Sequence, residues 1–199
     1  MKNYFLISLG KLFFLFFLYN TAFANSIDPK KFIQEIIDDV KTTLVSSNTK
    51  EYKVDSLSKL AKARVDINGI GLYSLGPYRK KINDKQKKEY AILFEKYFIK
   101  TFTSRLSDYS DPEINITGSD KKNDNYTVVS SVLLATEQRP EVKIEWVVYT
   151  KNPDKPLIRD LIIEGLKLAR TQKEEFTSII QSNDENINAL LIKLRDFTN

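Results

Sequence analysis

The chain contains no cysteine and no histidine. Without cysteine it has no disulfide, no thiol nucleophile and no attachment point for a bacterial lipoprotein anchor. Without histidine it lacks the commonest general base and the commonest protein ligand for metal ions. These two absences argue against functions that depend on thiol chemistry, histidine catalysis or histidine-bound metal. We therefore expect neither a metal nor another cofactor.

Glycine is scarce as well, with six in 199 residues. Gly69, Gly71 and Gly76 lie close together, but they do not have the dinucleotide-binding spacing, and no Walker lysine–serine pair accompanies them. A phosphate-binding loop is therefore not indicated. We expect these glycines to allow bends or a close backbone approach.

Carboxylates that could act in acid–base catalysis are few. The adjacent pairs, at 38–39 and 174–175, fall on polar helix faces. Asp160 and Glu164 lie four residues apart on a predicted strand, and the strand rise separates them by about 13 Å, too far for a direct proton relay. We expect Glu164 to cap or pair with the start of the helix that follows. No serine has an evident activating base, so the residues favour a binding protein over an enzyme.

Basic residues are interleaved with acidic ones except at 79–81 and 85–88. A nucleic-acid interface would combine such cations with exposed aromatics, whereas here the neighbouring aromatics have the spacing of a helix core. Nucleic acid is therefore not an expected partner. The simplest interpretation is a solvated helix start, and the alternative is a weak attraction to an anionic membrane surface or an acidic partner.

The first 24 residues have the features of an export signal. Lys2 precedes the apolar run "LFFLFFLY" at 12–19, and "AFA" at 22–24 fits the cleavage rule. Lys11 interrupts the apolar stretch before it reaches the roughly 20 residues of a transmembrane span. We predict a cleaved signal peptide over 1–24 and a single domain over 25–199.

Helical patterns cover the first half of the remaining chain. Asp28 and Pro29 are typical of a helix start, and Asn83 with Gln86 has the spacing of a capping box ahead of a long helix. An apolar stripe rich in aromatic residues then follows at three- and four-residue steps. It consists of Tyr90, Leu93, Phe94, Tyr97, Phe98, Phe102, Leu106 and Tyr109.

From residue 113 the hydrophobic period changes to two. Four segments, "EINIT", "NYTVVSSVLLAT", "EVKIEWVVYTK" and "LIRDLIIE", predict an antiparallel meander. In the third segment Val142, Ile144, Trp146 and Val148 alternate with polar residues, as in a sheet with one wet face. Two closing helices follow. The predicted fold is α+β, with a curved four-stranded sheet backed by helices that can enclose an apolar cavity.

Two stretches resemble the MlaC family, also called toluene-tolerance proteins. In "RDLIIEGLKLARTQKEEFTSII" and in "VDINGIGLYSLGPYRKKINDKQKKEYAILFEKYF" the order of acidic, glycine and aromatic positions fits the family pattern. The matching residues are Asp66, Leu75, Gly76, Tyr78, Gln86, Phe94, Phe98, Asp160, Glu164, Gly165, Glu175, Phe176, Ile179 and Ile180. Lys167, Arg79 and "NDEN" at 183–186 depart from it. The resemblance covers nearly the whole chain after residue 24.

The resemblance implies a cone of the NTF2-like kind and a soluble periplasmic phospholipid carrier. Such a carrier exchanges lipid with an outer-membrane lipoprotein–porin complex and an inner-membrane ABC transporter complex that carries an MCE protein. We expect a monomer. The alternatives that the residues leave open are an NTF2-like enzyme acting on an apolar ligand and a lipid-free periplasmic adaptor.

A lipid pocket would be lined by apolar residues from the sheet, the long helix, the glycine-rich corner and the turn near Gly165. The expected lipid-binding residues are Leu72, Leu75, Tyr78, Phe94, Tyr97, Phe98, Phe102, Val128, Val132, Ile144, Trp146, Val148, Ile162, Leu166 and Leu168. The six from the sheet are expected to share its inner face. Leu166 and Leu168 would complete one wall, and Gly165 would let the last strand turn into the closing helix.

Overall fold

The computed structural model describes residues 26–107 and 109–199. The predicted signal peptide lies outside the described residues. The helices are α1 (Pro29–Val45), α2 (Lys50–Arg64), α3 (Ile67–Ser74), a 3-10 helix (Gly76–Lys80), α4 (Asp84–Ser107), α5 (Leu168–Gln181) and α6 (Ile187–Thr198). The strands are β1 (Ile114–Asn123), β2 (Tyr126–Leu133), β3 (Val142–Tyr149), β4 (Leu157–Ile163) and β5 (Leu166–Lys167). The predicted α+β class is confirmed.

The helix starts follow from side chains that satisfy free backbone N–H groups. At α1 the Lys30 N–H donates to Asp28 Oδ1 at 3.0 Å. At α4 the predicted capping box is confirmed, since the Gln86 N–H donates to Asn83 Oδ1 and the Asn83 N–H donates to Gln86 Oε1. Gln86 also donates from Nε2 to Asn188 Oδ1 at 3.0 Å, which ties the start of α4 to α6.

The strands form one antiparallel meander in the order β1-β2-β3-β4-β5. Four long strands lie where the alternation predicts them, but β1 runs on to Asn123, well beyond the predicted segment "EINIT", and the two-residue β5 is an addition. Glu164 and Gly165 both have positive φ, 50° and 82°, as a type I′ hairpin turn requires. The chain therefore does turn at Gly165, but it first runs back along β4 before α5 begins.

Buried apolar side chains form two separate cores. The helical core consists of Ile67, Ile70, Leu75, Tyr78, Tyr90, Leu93, Phe94, Ala169, Phe176, Ile180, Ile187, Leu190, Leu191 and Leu194. The sheet core consists of Phe32, Ile33, Ile36, Ile37, Val129, Val148 and Ile158, so it lies between α1 and one face of the sheet. Among the described residues Val65 alone packs against both cores.

The glycine-rich corner contains a close backbone approach at Gly71 and a positive φ of 54° at Gly76, just after α3, while α3 itself continues without a bend through Gly69 and Gly71. Asp66 begins this helix, and its Oδ1 accepts from the Gly69 N–H at 2.9 Å. A Cβ on Gly71 would lie 2.7 Å from Cδ1 of Phe94, so the glycine lets α3 pack directly on α4. Tyr90 fixes the same contact by donating from its hydroxyl to the Gly71 carbonyl at 2.9 Å.

Candidate functional site

The aromatic stripe of α4 changes from buried to half-buried along the helix, and its last predicted member, Tyr109, lies beyond the end of α4 at Ser107. Tyr90 and Phe94 are each 2% exposed in the helical core, and both rings meet Phe176 edge-on, with centroids 6.4 and 6.1 Å away. Further along, Phe98 and Phe102 stack with centroids 6.0 Å apart and rings 11° from parallel, yet both remain half-buried. The later part of α4 therefore leaves aromatic surface that the helical core does not cover.

Tyr97 of α4 packs against Phe197 near the end of α6. Its ring centroid is 5.1 Å from that of Phe197, and its hydroxyl donates to Gln172 Oε1 at 2.8 Å. Burial raises the pKa of Tyr97 above its ordinary value, and the nearby Glu175 carboxylate acts in the same direction. The phenol therefore stays neutral at physiological pH and acts as a hydrogen-bond donor.

The register of β2 and β3 splits the six expected sheet residues between two faces. Ser131 is opposite Ile144, and Val129 is opposite Trp146, so Ile144, Trp146 and Val148 share the face that packs on α1. Val128, Val132 and Ile162 lie on the opposite face of the sheet. Their cross-strand neighbours are Val147, Lys143 and Glu145 respectively.

The expectation that all six residues share one face is therefore wrong. The sequence of one strand shows which of its own residues lie on the same face. The pairing between strands decides which residues of neighbouring strands lie on that face with them. The alternation predicted within β3 itself is confirmed. The β2 partners of Val142, Ile144, Trp146 and Val148 are every second residue of that strand, so these four side chains lie on one face.

Trp146 is held by a residue that the sequence analysis does not single out. Its Nε1 donates to Ser131 Oγ at 2.8 Å, and that hydroxyl donates to the Ile144 carbonyl at 3.3 Å. Ser131 is only 2% exposed, while Trp146 and the neighbouring Leu161 remain half-buried at the border of the sheet core. The signal for Ser131 is its position in β2, where the alternation places it on the face of Val129.

The remaining expected residues fall into distinct environments. Leu75 and Tyr78 are fully packed in the helical core, whereas Leu72 lines a groove between α3 and α4 with a volume of about 560 Å³. Leu166 and Leu168 belong to neither core and are 56% and 37% exposed, because β5 folds back at the edge of β4.

Three consecutive residues of β4 connect the helices to the sheet at a β-bulge, where the register with β3 shifts between Val147 and Val148. The Ile158 carbonyl accepts from the Asp66 N–H at 2.9 Å. Arg159 pairs with the Asp66 carboxylate, and Asp160 Oδ1 accepts from the Ala169 N–H at 2.9 Å. These bonds fix the starts of both α3 and α5 against the sheet.

Arg159 is also held from the side by two tyrosines. Its NH1 donates to the Tyr126 hydroxyl at 2.9 Å, and its guanidinium lies 4.0 Å from the centroid of the Tyr149 ring. The two tyrosine rings themselves are 5.3 Å apart. The guanidinium thus contacts an acid, a hydroxyl and an aromatic face.

The two carboxylates near the hinge have structural roles, and the expected role of Glu164 is wrong. Glu164 accepts a bond from the Lys143 N–H on β3 and does not cap α5, because β5 intervenes between it and the helix. Asp160 provides the α5 cap instead. Burial raises the pKa of Asp160 above its ordinary value, although backbone bonds from Ala169 and Leu161 partly oppose this.

Within 26–107 and 109–199, no group of three or more acidic residues is placed to hold a metal ion. In the same part of the chain no helix has the length and hydrophobicity to cross a bilayer. Half-buried aromatic and aliphatic side chains at the borders of the two cores are the apolar surface that these cores cover only in part.

Comparison with known proteins gives a consistent result. The family model described as MlaC protein matches residues 30–196, and no curated protein matches the chain. The solved phospholipid-binding protein from Ralstonia solanacearum, in complex with a phospholipid, superposes with a TM-score of 0.72. That alignment covers 86% of this chain and 97% of the other at 19% identity, which shows a shared fold. The chain belongs to the MlaC family, a family of lipid-binding carriers that are not enzymes.

Proposed function

We propose that this protein is a periplasmic carrier that holds the acyl chains of one phospholipid in an apolar space between its two cores. The observation that carries the proposal is the set of half-buried apolar side chains at the border of each core. On the helical side these include Tyr97 and Phe98, and on the sheet side Trp146 and Leu161. Val65, which packs against both cores, marks where the two borders meet.

The energetic requirement on such a carrier is severe. Each methylene exposed to water costs about 0.8 kcal/mol, so two chains of about sixteen carbons represent on the order of 25 kcal/mol. A dry pocket near the upper end of the usual size range, roughly 1,000 Å³, would be needed to offset this. Rings such as Phe98 and Phe102 supply large apolar area for such a wall, while the headgroup would remain at the mouth in water.

Trp146 and Leu161, half-buried residues on the α1 face of the sheet, are the strongest candidates for this lining, whereas Val148 is 0% exposed within the sheet core. Ile144 and Val148 share that face, and the hydrogen bond to Ser131 orients the indole. Val128, Val132 and Ile162 would contact lipid only if a second wall covers the opposite face. We therefore place Phe98, Phe102 and Trp146 at the centre of the proposed pocket and the other expected residues around it.

The cellular role extends the same proposal. After removal of residues 1–24, the domain over 25–199 would receive lipid from one membrane complex and deliver it to another across the periplasm. The partners implied by the family resemblance are an outer-membrane lipoprotein–porin complex and an inner-membrane ABC transporter complex with an MCE protein. A monomer suffices for this cycle, since one chain contains both cores.

Native mass spectrometry tests the proposal. The protein would be purified from the periplasm without detergent, and any bound compound would be extracted into organic solvent and identified. One added mass equal to a single diacyl phospholipid is expected. A folded protein that shows only its own mass would overturn the carrier function and favour a lipid-free adaptor.

A further inference from the structure

A basic surface lies where the 3-10 helix leads into α4, far in sequence from the proposed lining on the sheet. Between residues 79 and 88 there are six basic residues and one acidic residue, Asp84. All six basic side chains are exposed. Within the described residues Lys81 alone of the six forms an ion pair, with Glu185 at 2.8 Å. The free cations are Arg79, Lys80, Lys85, Lys87 and Lys88.

Exposed apolar surface adjoins these cations. Lys87 and Lys88 line the groove between α3 and α4, together with Leu72 and Ile92. Ile92 is 60% exposed, the highest value among the large apolar side chains of the described chain. The floor of the groove includes Gly71 and Phe94, so it is continuous with the helical core.

We propose that this basic face, defined by Lys85, Lys87 and Lys88 with Leu72 and Ile92, docks on the surface of a bilayer that contains anionic phospholipid. Lysines beside exposed aliphatic groups are the composition of interfacial surfaces, because the ammonium groups reach lipid phosphates while the aliphatic groups enter the acyl boundary. Leu72 is the one residue of this face that also belongs to the expected lipid-binding set, and the cations lie on the exposed surface, so docking does not require that the interior hold a lipid.

The kind of cation favours a lipid surface over an acidic protein. Four of the five free cations are lysines, which act as hydrated point charges on flexible stems. Recognition of fixed carboxylates in a protein interface is better served by the planar, bidentate guanidinium of arginine. Diffuse attraction to many mobile headgroups needs no such geometry, and it is summed over the whole patch.

Co-sedimentation with vesicles tests this docking. The full protein would be mixed with vesicles of phosphatidylglycerol and phosphatidylcholine, and separately with vesicles of phosphatidylcholine alone. Each lysine near an anionic surface contributes roughly fivefold to the partition coefficient, so Lys85→Glu with Lys88→Glu should lower binding to the anionic vesicles by at least about tenfold. Binding should also fall as salt is raised.

The matched control is Lys30→Glu with Lys31→Glu, which makes the same change in net charge at exposed positions on α1. It should leave binding within about threefold of the unaltered protein, as a long-range charge effect alone predicts. Ile92→Ser should weaken binding at high salt, where the apolar contribution dominates. Equal losses in both charge variants would overturn the localised face. An unaltered protein that binds neither vesicle would overturn the proposal and leave an acidic protein as the partner.

The result is separable from that of the carrier function. A protein that carries lipid yet ignores vesicles refutes only the docking face. A protein that binds anionic vesicles through Lys85 and Lys88 yet has no internal lipid refutes only the carrier.

Discussion

Arg159 Nε lies 2.6 Å from Asp66 Oδ2, so a β4 residue is ion-paired with the residue that begins α3. The same carboxylate makes a second interaction, because its other oxygen accepts a hydrogen bond from the Gly69 N–H at 2.9 Å. Gly69 is required for this geometry, since a Cβ there would lie 2.3 Å from Asp66 Oδ2. One acidic side chain therefore starts a helix and attaches it to the sheet.

We expect Asp66→Asn to keep the cap and lose the ion pair, at a cost of about 1–2 kcal/mol in the free energy of unfolding. Arg159→Gln should cost a similar amount. Because both changes remove the same interaction, the double variant should be less destabilised than the sum by about 1 kcal/mol. Urea unfolding of the four proteins measures this coupling. Strict additivity would show that the pair contributes nothing.

Asp160 should make stability depend on pH in the direction opposite to that of an ion-paired carboxylate. Its folded-state pKa is raised above the ordinary 3.8 by burial, so the folded protein binds the proton more tightly than the unfolded chain does. As pH rises from 3.8 through the raised pKa, the folded state therefore loses stability relative to the unfolded state.

Asp160→Asn isolates this effect because the amide oxygen can still accept from the Ala169 N–H. We expect the difference in unfolding free energy, Asp160 protein minus variant, to fall as pH rises across that window. Asp160→Ala, which removes the acceptor, should cost about 1 kcal/mol by loss of the cap. A difference that grows with pH would show that the hydrogen bonds outweigh burial.

We expect glycine to be required at position 165 because of the backbone conformation there, and not because a side chain would clash with neighbouring atoms. A Cβ at Gly165 would meet nothing within 4 Å, but its φ of 82° disfavours any L side chain. We expect Gly165→Ala to reduce the unfolding free energy by about 1 kcal/mol.

Gly118→Ala provides the matched control for that experiment. A Cβ there also meets nothing within 4 Å, and its φ is not positive. This substitution should be neutral or slightly stabilising. Equal thermal midpoints for the two variants would contradict a conformational role for Gly165.

Phe98→Arg should abolish the co-purification of phospholipid while leaving a folded protein, because a charge beside Phe94 and Phe102 cannot remain in a dry acyl pocket. Ile192→Arg on α6, which is 50% exposed, serves as the control and should retain lipid. Circular dichroism reports the fold, and extraction reports the lipid. A folded Phe98→Arg protein with unaltered lipid content would remove this part of α4 from the pocket.

Local patterns in the sequence predict the elements well. The α4 start is fixed by the Asn83–Gln86 capping box, and the alternation in β3 correctly separates Trp146 from its polar neighbours. The helix through Gly69 and Gly71 is missed because glycine is a poor helix former. Its stability comes from the Asp66 cap and from packing on Phe94, and the packing contact is made across sequence distance.

The sequence by itself determined the order of the long helices and of the four long strands, the turn at Gly165 and the aromatic stripe of α4 as far as Leu106. These depend on interactions among residues within one or two turns of each other, or on the backbone preference of a single residue. Only the tertiary structure decided which residues of neighbouring strands share a face of the sheet. It also decided that Asp160 and not Glu164 caps α5, and that Val65 packs against both cores. Strand register and packing between distant elements are set by the sum of many long-range contacts, which no local pattern encodes.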